Sequence, residues 1–412
     1  MKLLNNTRIK NFFNKSINAI FSLINNVNFL SIIVFFIIAP IFISVNSDFS
    51  IKFDIVGKFD PVNRKGLYTT FPISVFITIL LIFFIKPFKI KSDLVLLNLL
   101  IFLNIFIHLV ISDNISSRLL KSSIGLIVLF NFYHIFIKFN QIVFKKMDGD
   151  KIINYMAYIW ISILMFNYLG ILQGDEKIFG MSIIKIYNFF DYYPIILCLI
   201  SLLFLKKDKK SLLIFVTLSI PSIYILYLTQ SRTLQIAYLS VLLISIILFV
   251  FDKYHHKTYK TLYLYQKFKI ILFISLLISI LLFTSNLIEQ IRYADDHLKT
   301  LAYRSVDLSF FLDQININNI LLPHIKDKTM MSLHNQYFEL YNWHGIFLLY
   351  YLYYFFKIIK KSFIKNPLST TLVTSYLFIA SLMMLPLTHL HTGIVTIYIY
   401  SLLSSYAFSK SY

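Results

Sequence analysis

This chain is short of most of what a water-soluble enzyme is built on. It has one cysteine, Cys198, among 412 residues, so it can form no intramolecular disulfide and no thiolate metal cluster. Cys198 lies inside an apolar run and reads as a small buried core residue. Glycine and proline number nine each, few for a transporter whose helices are broken to hold substrate. Charged residues are 14% of the chain, too few to cover a soluble domain of this size. Acids are the scarcer sign, 19 against 39 lysines and arginines, and only six of those cations are arginine.

What the chain has instead is apolar length. It is 58% hydrophobic, with a mean hydropathy of +0.73. About twelve apolar segments are long enough to cross a bilayer, which takes about 20 residues as a helix. They fall near 28–46, 68–86, 94–112, 119–137, 152–172, 188–205, 211–229, 234–252, 270–287, 338–357, 369–386 and 392–408. The expected fold class is therefore all-α, a polytopic integral membrane protein of about twelve spans. Residues 28–412 form a single transmembrane domain. Residues 1–27 precede it, with no small-residue cleavage site of a signal peptide. There Phe13, Ile17, Ile20, Phe21 and Ile24 recur at helical spacing beside Lys10 and Lys15, the pattern of a helix lying on the cytoplasmic interface.

A net charge of +20 can signal nucleic acid. Here the cations are spread through the breaks between apolar runs, which suits topology and anionic lipid and excludes a nucleic-acid partner. Lysine is concentrated in alternate breaks, as in Lys206-Lys207-Asp208-Lys209-Lys210 and Lys360-Lys361. The positive-inside rule then puts both termini in the cytoplasm. The longest hydrophilic stretch, 286–336, becomes an external loop between the ninth and tenth spans.

Arginine does not follow lysine. Arg8 falls inside, whereas Arg64, Arg118, Arg232, Arg292 and Arg304 fall outside, where the topology rule disfavours cations. A planar, bidentate cation placed there points to phosphate. Arg232 opens the eighth span in Gln230-Ser231-Arg232-Thr233. A helix N-terminus beside it favours an anion, although a lone arginine there also fits snorkelling. Arg304 lies in the long loop, where Leu301, Leu308, Phe311, Leu312 and Ile315 make an amphipathic helical stripe. A surface pair with Asp307 is the plainer reading of Arg304. Arg292, followed by Asp295 and Asp296, fits a solvated charge cluster or a weaker contact to the same ligand.

His334 stands at the outer start of the tenth span, in His334-Asn335-Gln336-Tyr337-Phe338-Glu339. A neutral histidine there can take a proton from a sugar hydroxyl. Asn335 and Glu339 are placed to orient it or a sugar. Asp191, in Phe190-Asp191-Tyr192-Tyr193-Pro194, is a further candidate for a sugar hydroxyl. His344, His389 and His391 face the same side and read as structural. No His-x-x-x-His pair is present and His389-x-His391 lacks a third ligand, so neither metal nor cofactor is expected.

Taken in order, these elements resemble the O-antigen ligase and polymerase superfamily of bacterial surface-glycan assembly. The resemblance rests on Leu228-Thr229-Gln230-Ser231-Arg232-Thr233, on the long loop bearing Arg304, and on His334 to Leu340 leading to Gly345-Ile346. It covers about 230–350; the first two hundred residues match in hydropathy alone. It implies metal-independent glycosyl transfer at the periplasmic face of the bacterial inner membrane. The donor it implies is an oligosaccharide on undecaprenyl diphosphate, with Arg232 and Arg304 holding the diphosphate and His334 activating the acceptor hydroxyl. It also implies a chain-length regulator protein as a partner. A polymerase is favoured over a ligase acting on lipid A core, on resemblance and composition. The interval from Arg304 to His334 is shorter than in the ligase pattern, and glycines around the loop are few. The rival from another class is a lipid-linked glycan flippase, which calls for charged residues along a central path and for short loops.

Overall fold

The computed structural model describes residues 50–60, 65–72, 79, 91–112, 117–145, 177–178, 181–182, 321, 336–381 and 390–407. Two antiparallel hairpins and six helices lie within them. Strand β1 (Ser50–Asp60) pairs with β2 (Lys65–Pro72), with register shifts after Asp54 and after Val56. Helix α1 covers Ser92–Ser112 and α2 covers Ser117–Val143. A second hairpin joins β3 (Lys177–Ile178) to β4 (Met181–Ser182). Then follow α3 (Gln336–His344), α4 (Phe347–Lys365), α5 (Pro367–Ser381) and α6 (Leu390–Ser405).

The helical class holds wherever an expected span and a described helix coincide, at α1, α2, α4, α5 and α6. The hairpins add to it. Residues 51–55 alternate apolar and charged, Ile51-Lys52-Phe53-Asp54-Ile55, a period-two pattern that suits a strand. Thr69, Thr70 and Phe71 in β2 are β-favouring residues. One expectation is corrected here, because the stretch from 68 begins as strand and not as a span. A second correction concerns the tenth span. It is two helices, α3 and α4, separated at Gly345-Ile346. The interfacial helix at 10–25, the spans near 28–46, 152–172, 188–205, 211–229, 234–252 and 270–287, and the loop helix bearing Arg304 lie outside the described residues.

Two described helices are long and apolar enough to cross a membrane, over Ser92–Ile111 and Ser122–Val143. On α1 the burial pattern is the reverse of that in a soluble helix. Leu99, Phe102 and Phe106 are 58–60% exposed, while Asn104 and His108 are buried. Water would penalise such an apolar row, whereas hydrocarbon favours it and turns the polar residues toward protein.

Helix α6 is the hub. Every side chain from Ile394 to Ser404 is buried, so it is covered all round. It packs most closely on α2, where Gly393 lets the backbones approach. A Cβ added at Gly393 would lie 2.6 Å from Leu129 Cδ2. Small and hydroxyl residues then supply hydrogen bonds between helices, as membrane-embedded packing favours. Tyr133 of α2 bonds Ser404 at 2.9 Å, Asn140 donates to Ser401 Oγ at 3.1 Å, and Ser362 of α4 bonds Ser404 at 2.7 Å. Phe136 meets Tyr398 edge-on at 5.1 Å, and Phe144 stacks on Tyr406 at 4.5 Å.

Helices α4 and α5 turn about Asn366-Pro367. Proline disfavours helical dihedrals in the residue before it and is well placed at the first helical position. Asn366 accordingly has φ −138° and closes α4 with its N–H on Ser362 O. Its side chain donates to the carbonyls of Leu403 and Tyr406, at 2.7 and 2.6 Å, which fixes the turn to the end of α6.

Candidate functional site

Helix α3 begins at Gln336, immediately after His334-Asn335 in the sequence. It ends at His344, and Gly345 follows with φ 52°. That is the left-handed conformation in which glycine commonly terminates a helix. The Gly345 N–H closes on Tyr341 O at 2.7 Å, and the N–H of Ile346 donates to Leu321 O at 2.9 Å. Leu321 belongs to the long hydrophilic stretch between Arg304 and His334. A backbone donor freed by the helix break is therefore satisfied by that stretch, as a break at membrane depth requires.

Directly before the break lies a buried polar cluster. His344 is fully buried between α1 and α2. Asn104 Nδ2 lies 2.9 Å from its Nδ1 and 3.3 Å from Trp343 O. A carbonyl can only accept, so the Asn104 nitrogen is the donor to both. His344 Nδ1 then accepts, and its Nε2–H donates to Ser122 Oγ at 2.9 Å. The ring is thus a neutral imidazole in one defined tautomer, which matches its reading as structural. Its edge packs on the Tyr351 ring at 5.2 Å. His108, one turn along α1 from Asn104, is buried beside the same backbone and bonds at Trp343.

Glu339 is the one proposed site residue that lies among the described residues. It is buried, and its Oε1 accepts the Trp343 indole N–H at 2.9 Å. That i,i+4 bond sets the carboxylate along α3 and occupies one oxygen with the helix itself. His334, Asn335, Arg232, Arg304, Arg292 and Asp191 lie outside the described residues. Asn104, His108 and Ser122 were not singled out in the sequence, although polar residues inside the 94–112 and 119–137 runs were the available signal. Asn342 was missed too. It follows Glu339 by three residues and Asn335 by seven, the spacing of one helix face.

Asn342 is 1% exposed, and neither atom of its side-chain amide has a hydrogen-bond partner. An amide buried that way costs about 1–3 kcal/mol. Asn342→Leu, close in volume, is expected to raise stability by about that amount, read as a higher thermal midpoint of the detergent-solubilised protein. A lower midpoint would show that the amide is satisfied by a bound water or ligand.

Comparisons with protein-family models, curated proteins and solved structures return no match to this chain.

Proposed function

We propose that this protein is a surface-glycan (O-antigen) polymerase, a metal-independent glycosyltransferase acting at the outer face of the bacterial inner membrane. Its donor is an oligosaccharide linked to undecaprenyl diphosphate. In this reading His334 takes the proton of an acceptor sugar hydroxyl as that oxygen attacks the anomeric carbon. The bond from the anomeric carbon to the diphosphate oxygen breaks, and the lipid diphosphate leaves. Arg232 and Arg304 hold the charge that develops on it. Asn335, Glu339, Arg292 and Asp191 supply weaker contacts to sugar or phosphate.

One observation supports this reading most. The segment that begins after His334-Asn335 breaks at Gly345, and the break is closed by Leu321 from the stretch that follows Arg304. The two parts of the motif that carry the base and one arginine are thereby tied together at a polar, buried point. The sidedness also agrees. Lys91, Lys138, Lys361 and Lys365 gather at the end of the helices away from His344, as cytoplasmic ends do. A second reading, a lipid-linked glycan transporter, draws on the same helix break, since discontinuous helices carry substrate in transporters.

The test is lipopolysaccharide banding in a deletion strain carrying wild-type, His334→Ala, Arg232→Ala or Arg304→Ala protein at matched membrane levels. Core bearing a single repeat unit is expected from the deletion and from all three variants. Bare core with long chains left on the lipid carrier would indicate a ligase. Normal ladders from all three variants would remove the catalytic assignment and favour the transporter.

A further inference from the structure

Two lipid-facing stripes end on one group of lysines. On α1 the outward row of Leu99, Phe102 and Phe106 leads back at helical spacing to Lys91. On α4, Leu349, Tyr353 and Phe356 are exposed and lead to Lys361. The helices are neighbours at this end. Tyr350 Oη donates to Asp93 O at 3.4 Å, and Lys357 forms an ion pair with the Asp93 carboxylate. The two apolar rows therefore bound one shallow strip that ends in charge.

The charge there is unbalanced. Lys361 lies within electrostatic reach of Lys91, Lys138 and Lys365, cations from α1's start, α2 and α4. Asp93 is the near carboxylate, and Lys357 neutralises it. Lys361 Nζ is 5.9 Å from the centre of the Tyr133 ring, and Lys365 donates to Ser405 O at 2.9 Å. Neither contact removes charge. Scattered lysines that only set topology have no reason to converge from three helices, because like charges repel.

We propose that this cluster binds the phosphate head group of an anionic membrane phospholipid, whose acyl chains lie along the exposed rows of α1 and α4. The lysines supply the phosphate contacts, and their stems lie against apolar surface. The apolar rows favour a lipid over a free anion, since a phosphate alone gains nothing from them. Two phosphates match four lysines better than one, so cardiolipin is the tighter ligand. This site is at the opposite end of the helices from His344 and does not depend on the glycosyltransferase reading.

Native mass spectrometry of the full chain in detergent, titrated with cardiolipin, tests it. Saturable binding of one cardiolipin is expected, with phosphatidylcholine at least ten-fold weaker. Lys91→Gln with Lys361→Gln should weaken cardiolipin at least ten-fold. Lys145→Gln with Lys360→Gln removes the same charge from exposed positions outside the cluster and should change it less than two-fold. Lys91→Arg with Lys361→Arg should retain binding, which separates lost charge from misfolding. Equal losses in both glutamine pairs would overturn the site in favour of diffuse attraction. Displacement by inorganic phosphate at concentrations matching the lipid phosphate would overturn it in favour of a free-anion site, and equal binding of phosphatidylcholine would remove the electrostatic basis.

Discussion

His344→Ala is expected to destabilise the protein by about 3–5 kcal/mol, enough to lower its membrane level several-fold. The side chain is fully buried, and its loss leaves a cavity beside Tyr351. It also removes the acceptor that Asn104 uses at 2.9 Å and the donor to Ser122 at 2.9 Å. Both partners stay buried, at 0% and 6% exposure, and water cannot reach them. His344→Gln keeps an amide of similar reach and should recover part of the loss. Membrane level and thermal midpoint in detergent are the measurements. Unchanged values for His344→Ala would show that the Asn104–His344–Ser122 bridge carries no stability.

The same substitution at His334 is expected to do the opposite. There the level should match wild type and glycan transfer should fall by about 10²–10⁴-fold, the usual worth of a general base. Ten residues apart, the two histidines give separable phenotypes, one on abundance and one on rate. A fall in rate that merely tracks abundance at both positions would leave no base at His334.

The sequence shows this division unevenly. Helices α1 and α6 are legible because their apolar runs are nearly continuous and flanked by polar residues. The break in the tenth span is not, because Gly345 sits among Trp343, Phe347 and Tyr350, and a glycine in such a run is compatible with an unbroken helix. What ends the helix is a positive φ together with a carbonyl from Leu321, a partner 25 positions earlier that no local pattern announces. The polar core is hidden for the same reason. Asn98 pairs with Asn131 across 33 positions, and Asn104 with His344 across 240. Hydropathy averages absorb such residues into the runs that contain them. The β1–β2 hairpin was masked by length, since Tyr68 to Pro72 read as the start of a span although the alternation in 51–55 was present. The six site residues other than Glu339 rest on sequence reading and resemblance, and Glu339 itself is bonded within its own helix.

Gly345→Val is the substitution that probes the break most directly. At φ 52° a residue with a Cβ is strained by about 1–2 kcal/mol, and a β-branched one by more. The chain can relieve that strain by continuing α3 into α4. Doing so would return the Ile346 N–H to the helix ladder and release Leu321 O. The loop stretch between Arg304 and His334 would lose its anchor while the helices stayed folded. Glycan transfer should therefore fall at least ten-fold with less than a two-fold change in membrane level. Cross-linking reads the geometry itself. In a Cys198→Ser background, Leu321→Cys with Ile346→Cys brings two thiols onto backbones joined by a 2.9 Å hydrogen bond. Oxidation should close that disulfide efficiently with glycine at 345 and poorly with valine. Efficient closure in both, with activity retained, would mean that the break persists without glycine and that the link from Leu321 to the candidate site is structural alone.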